Sequence, residues 1–191
     1  METTRTFVAV FPPSDVAARI AAALDALRAP GDGVSWVRST NLHFTLRFLG
    51  DLAFHDVEAA RRAAALAARG AAPFRLVLGG HGMFPNSLQP KVLWLGVKDG
   101  ADALVALAAQ LEITLAGEGF PPPDKAFTPH LTLARVRDRA DGAAVGRRFA
   151  AATLAGEAFE VGDLVVVKST LGAGGPRYEP LGRYSLSEDL D

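Results

Sequence analysis

One shift of 87 residues lays this chain on itself, carrying His43 onto His130, Thr45 onto Thr132 and Leu46 onto Leu133. It also carries Phe7 onto Trp94, Asp15 onto Asp102, Leu24 onto Leu111 and Val77 onto Leu164. Few other identities survive, but the order strand, helix, strand, helix, strand is kept at constant offset, the signature of a duplicated unit. No Ser- or Pro-rich linker divides the 191 residues. The expectation is therefore one α+β domain, 1–191, of two β-α-β-α-β lobes at about 5–82 and 92–171 with a closing strand at 177–186. A site would lie between the lobes.

Local pattern assigns the elements. Thr6–Phe11 is β-branched and aromatic and stops at Pro12-Pro13, so it predicts a buried strand. Ser14 offers an N-cap, and Val16, Ile20, Leu24 and Leu27 follow at helical spacing until Pro30-Gly31. Strands are expected at Leu42–Leu49, closed by Gly50-Asp51, and at Phe74–Leu78, Val92–Val97, His130–Val136, Asp163–Leu171 and Arg177–Leu186. Helices are expected over His55–Arg69, around Leu104–Leu115 and over Gly142–Thr153. The stretch GGHGMFPNSLQP reads as a glycine-rich connection.

Composition narrows the chemistry. The chain has no cysteine, which removes disulfides, thiolate nucleophiles and Cys-based metal sites together. A net charge of −1 gives no polybasic surface for duplex binding, so a nucleic-acid partner would be gripped locally. No apolar run approaches the ~18 residues of a membrane span, and the first residues lack the pattern of a signal peptide. These features point to a soluble protein of a reducing compartment, the cytoplasm, with no membrane partner and no obligate protein partner implied.

Only four histidines are present, and two occupy the same pattern, His43-Phe44-Thr45-Leu46 and His130-Leu131-Thr132-Leu133. With a period of two, each His shares a strand face with its Thr while the apolar pair enters the core. An approximate two-fold between lobes would bring two His and two Thr into one cleft. Displacement at phosphorus needs a base for the attacking hydroxyl and an acid for the leaving oxygen, and histidine serves as either near neutral pH. Thr hydroxyls can bond the non-bridging oxygens where charge accumulates. One His-x-Thr-x is more often just a polar strand face; two copies at equivalent places of a repeat make coincidence a poor account. No cluster with ligand spacing calls for a metal, and no GxxxxGK[ST] loop is present for ATP-driven ligation. No cofactor is expected.

Other residues carry weaker readings. By parity Arg47 shares the face of Thr45 and could touch phosphate, or be a solvated strand-end residue. His81, among glycines, reads as a surface loop residue and His55 as solvated near a helix start. Phe11, Trp36 and Phe127 could stack a base, although aromatics beside strands are usually core. The pairs Arg61-Arg62 and Arg147-Arg148 are equivalent under the shift and read as solvated helix faces or as a basic rim.

The segments RTFVAVFPP, NLHFTLRFLGD, KVLWLGV, FTPHLTLARV and LVVVKSTLGAGGPRYEPL resemble the two-histidine (2H) phosphoesterases along nearly the whole chain. The likeness is to the RNA 2′,3′-cyclic phosphodiesterases, also called 2′-5′ RNA ligases (the LigT-like group). It implies a bilobal α+β fold with antiparallel-rich sheets around a central cleft. It further implies His43 as proton donor to the departing 3′ oxygen, His130 as proton acceptor from water, and Thr45, Thr132 and Arg135 as phosphate ligands. The substrate would be an RNA 3′ end or small nucleotide bearing a 2′,3′-cyclic phosphate, opened to a 2′-phosphate; any 2′-5′ ligation would join the same cyclic phosphate to a 5′-hydroxyl, reversing a transesterification-like cleavage. Strand parity points Arg135 away from His130, so its role requires a bulge or twist. Another small phosphodiester or binding of RNA ends without turnover are the competing readings.

Overall fold

The computed structural model describes residues 3–137, 141–154 and 156–187. The first half contributes strands β1 (Thr4–Val10), β2 (Val34–Trp36), β3 (Phe44–Leu52) and β4 (Phe74–Phe84) with helices α1 (Ser14–Asp25) and α2 (Phe54–Arg69). The second half contributes β5 (Val92–Asp99), β6 (Leu131–Val136), β7 (Ala158–Val161), β8 (Asp163–Gly172) and β9 (Gly175–Ser185) with α3 (Ala101–Gly117) and α4 (Gly142–Ala150). Two antiparallel sheets result, ordered β3-β1-β8-β9 and β2-β6-β5-β4-β7. The third strand of each repeat crosses to the other sheet: β8 pairs with β1, and β4 pairs with β5. Each sheet is thus completed by the opposite half of the chain. None of the helices among the described residues is long and apolar enough to cross a membrane.

In β1, whose alternation is regular, Val8 and Val10 enter the main core with Phe44, Leu46, Leu164 and Val166. Small alanines of α2 (Ala63, Ala64, Ala67) and leucines of α3 (Leu104, Leu107, Leu111) close over that face. The opposite face of the same sheet carries a separate cluster, Phe7, Ala9, Val165 and Val167, with Phe11 and Tyr178 against it. This second face is the one on which the His43 ring rests, and it is the face that the expected cleft would have as its floor.

Several local expectations are corrected. Ser14 is the first helical residue of α1 rather than its cap; Pro13 holds the N-cap position and no side chain caps it. The helix stops at Asp25, ahead of Pro30. Gly50 and Asp51 do not close β3, which runs to Leu52 with Gly50 at φ +81° beside a register shift. The glycines of GGHGMF continue β4 instead of forming a connection. Gly80 (φ +68°) lies within a register break between Leu78 and His81, a bulge only glycine enters without strain. Strands β2 and β7 were not expected. At three and four residues they are too short to show a period and exist by pairing with β6 and β4.

Candidate active site

Each motif histidine stands immediately before its strand, His43 ahead of β3 and His130 ahead of β6. Their local hydrogen bonds repeat each other. His43 Nδ1 donates to the Asn41 carbonyl at 2.7 Å, and His130 Nδ1 donates to the Thr128 carbonyl at 2.8 Å. A carbonyl oxygen only accepts, so both Nδ1 atoms carry hydrogen and Nε2 of each ring is left for a ligand. A neutral ring in that tautomer takes a proton at Nε2, and a charged ring donates one from it. Each imidazole is therefore held in a geometry suited to acid or base work.

The two strands then break their alternation at the same point. On β3, Val8 faces Arg47 and Ala9 faces Thr45, leaving Leu46 as an extra residue. On β6, Leu93 faces Ala134 and Trp94 faces Thr132, leaving Leu133 as the extra residue. These are equivalent bulges, and beyond each of them the faces exchange. Arg135 accordingly shares the cleft face of Thr132 and stays exposed, while Leu133 and Ala134 are both buried. The bulge that the Arg135 assignment requires is present.

For Arg47 the bulge has the opposite result. It pairs with Val8 on the helix-covered face, where it is 8% exposed, and its guanidinium donates to Glu112 Oε2 at 3.0 Å and to the Pro121 carbonyl. The parity reading that put Arg47 in the cleft is corrected. Burial raises the Glu112 carboxyl above its ordinary range, against the pull of Arg47. Arg47 is a tie between β3 and α3.

Aromatic rings surround both histidines. Phe7 and Phe11 lie 4.9 and 5.3 Å from the His43 ring, and Tyr178 meets it edge-on at 5.2 Å. Phe84 meets His130 edge-on at 5.4 Å and stacks on Trp94, whose indole lies over Gly82, where a Cβ would clash with the ring at 2.3 Å. Burial lowers the pKa of His43 below the ordinary 6.5; the Asn41 carbonyl opposes this, and the charges of Arg135 and His130 add to it. That mutual influence places His43, His130 and Arg135 in one neighbourhood, consistent with the approach of β3 and β6. Burial likewise raises the Tyr178 hydroxyl, opposed by Arg135 and Arg5.

The remaining candidates lie elsewhere. His81 is on β4, paired with the core residue Leu95 and edge-on to Phe149 of α4 at 5.0 Å, so it is neither in a loop nor in the cleft. His55 is exposed beside Asp56. Of the three proposed stacking rings only Phe11 borders a motif histidine; Trp36 and Phe127 pack on the main core. Arg61, Arg62 and Arg148 are engaged by Glu58, Glu118 and Asp32, which favours the solvated-face reading over a basic rim. Tyr178, Phe84 and Trp94 had no role assigned from sequence, because no periodicity tells which aromatic of a strand will face a cleft. Among the described residues no group of His, Asp and Glu could hold a metal ion.

Comparison with known proteins identifies the family and the fold. Residues 12–173 match the profile of the 2′-5′ RNA ligase superfamily. An RNA 2′,3′-cyclic phosphodiesterase of Aquifex aeolicus is 32% identical over 97% of this chain and 99% of its own. A protein of the same name from Thermus thermophilus is 35% identical over 95% and 90%. The crystal structure of TT0787 of Thermus thermophilus superposes with a TM-score of 0.81 at 31% identity, covering 97% of this chain and all (100%) of that one. That of E. coli LigT complexed with 3′-AMP superposes with a TM-score of 0.75 at 28% identity, covering 97% and 99%.

Proposed function

The chain belongs to the 2′-5′ RNA ligase superfamily, and on that premise we propose that it opens 2′,3′-cyclic phosphates at RNA 3′ ends to 2′-phosphates, in the cytoplasm and without a metal. The observation that carries the reading is the repeated histidine geometry: two rings with Nδ1 spent on a backbone carbonyl, which leaves Nε2 for a ligand, each at the head of one of two neighbouring, equivalent strands. In the reaction His130 Nε2 takes a proton from water as its oxygen bonds to phosphorus. The bond from phosphorus to the 3′ oxygen breaks on the opposite side, and His43 Nε2–H protonates that oxygen. Thr45, Thr132 and Arg135 donate hydrogen bonds to the non-bridging oxygens as charge builds on them. A ribose 5′-hydroxyl attacking phosphorus in place of water, with its proton passing to His130 and the same bond to the 3′ oxygen breaking, would leave a 2′-5′ linkage, which accounts for ligation without ATP.

Burial pulls the His43 pKa down in the free protein, a bias against the protonated form that a proton donor needs. An anionic substrate reverses this in two ways. Its charge stabilises an imidazolium beside it, and it neutralises Arg135, whose field otherwise opposes protonation. Substrate binding thus prepares its own acid.

The test is incubation of an oligonucleotide ending in a 2′,3′-cyclic phosphate with the protein in EDTA, with the product terminus identified. A 2′-phosphate is expected. Absence of turnover removes the reading, and a 3′-phosphate reverses the leaving group.

A further inference from the structure

The repeat carries Phe48 onto Arg135, and the two equivalent bulges turn both positions to the cleft. Where one strand offers a cation, the other offers a phenyl ring. The cation on that side comes from the neighbouring strand. Arg5 shares the face of Phe7 and Ala9 on β1, and its guanidinium lies 4.6 Å from the centroid of the Phe48 ring. Phe48 itself is 50% exposed. Resting on the ring restrains the guanidinium beside Phe48. Asp51, its cross-strand neighbour, forms no ion pair with it among the described residues.

Arg5 and Arg135 also share a neighbour. Both charges reach the Tyr178 hydroxyl, and the Tyr178 ring stands edge-on to His43 at 5.2 Å and to Phe7 at 5.0 Å. The charge of Arg135 also reaches His43. Arg5 is two strand residues beyond Phe7, about 7 Å along β1. RNA presents one phosphate per nucleotide, so a chain whose terminal phosphate sits at the histidines must lead the next one away across the cleft. A mononucleoside 2′,3′-cyclic phosphate has no second phosphate to offer.

We propose that Arg5, seated on Phe48, binds the phosphodiester one nucleotide upstream of the terminal cyclic phosphate and makes an oligonucleotide end a better substrate than a mononucleotide. The proposal rests on the phosphodiesterase reading above. A planar guanidinium suits this ligand, because it can bond two phosphate oxygens at once.

The experiment compares a dinucleotide ending in a 2′,3′-cyclic phosphate with the corresponding mononucleoside cyclic phosphate, in the intact protein and in Arg5→Ala, Arg5→Gln and Arg5→Lys. The ratio of kcat/KM for dinucleotide over mononucleotide is expected to fall about tenfold in Arg5→Ala and Arg5→Gln, mainly through KM, with only part of it restored by Arg5→Lys, which keeps the charge but loses the planar fork. On the dinucleotide, the slope of log kcat/KM against log salt is expected to flatten by about 0.7 in Arg5→Ala, the loss of one single-strand phosphate contact. An unchanged ratio overturns the proposal, and so does a ratio that falls with no change in salt slope, which marks stacking on a base. A wild-type protein that opens neither substrate removes the phosphodiesterase reading itself; one that opens both with an unaltered ratio in the variants removes only the role of Arg5.

Discussion

Arg47 and Arg135 stand at the same distance from suspicion in the sequence, and the paired bulges separate them, so their alanine variants should fail in different ways. Arg47 is 8% exposed and donates to Glu112 at 3.0 Å, with Glu112 retaining 27% of its side-chain surface. Breaking a fully buried pair by removing one partner costs about 3–5 kcal/mol, and partial exposure of Glu112 reduces this to about 2–3 kcal/mol. For a chain of this size that lowers Tm by about 4–12 °C. The loss should depend on pH. Glu112 already has a folded pKa above its ordinary 4.5, so the folded state holds its proton more tightly than the unfolded chain does. Removing Arg47 raises that pKa further, so the variant is penalised most where Glu112 is charged. Its deficit against wild type should be small below pH 4.5 and grow as pH rises through the folded pKa. Arg135, exposed in the cleft, should behave in reverse: Arg135→Ala stays within about 0.5 kcal/mol in stability and loses about 10²–10³ in kcat. Thermal melts from pH 4 to 8 and single-turnover rates at a temperature where both variants are folded make the comparison. A folded Arg47→Ala that has lost catalysis, beside an active Arg135→Ala, would refute the bulge argument.

Replacing His43 or His130 by Ala should each cost at least about 10²-fold, with the double variant scarcely worse than either, as for groups that act as a unit. Because bound phosphate favours protonated His43, the alkaline limb of the bell-shaped pH profile should lie lower for kcat/KM than for kcat; coincident limbs would count against substrate-assisted protonation. The lowered His43 pKa also means that the unfolded chain binds its proton more readily, so stability should fall as pH drops through 6.5, and less so in His43→Gln, as read from denaturant titrations at pH 5.5 and 7.5. Thr45→Val and Thr132→Val keep the strand shape and should lose up to about 10²-fold in kcat while melting close to wild type. Gly82→Ala would push the Trp94 indole off its strand and should cost about 1–3 kcal/mol together with activity, since Phe84 bridges Trp94 to His130; an unaltered melt would show that the ring has room to move.

The antiparallel-rich α+β class was legible because most of its strands and helices rest on local information. An alternating strand declares its two faces within a few residues, and the carbonyls that orient the histidines lie two positions upstream in the chain. What the sequence did not contain was pairing. A bulge is a mismatch between two strands, so Leu46 and Leu133 become extra residues only once β1 and β5 lie alongside, and that mismatch decided which arginine faces the cleft. The exchange of β4 and β8 between sheets, the existence of β2 and β7, and the strand character of the GGHGMF glycines depend in the same way on a partner far along the chain. Tyr178 reaches His43 only because β9 is joined through β8 to β1. Local alternation is set by the backbone of a single strand; register is set by hydrogen bonds to another, and a sequence read in one dimension carries the first without the second.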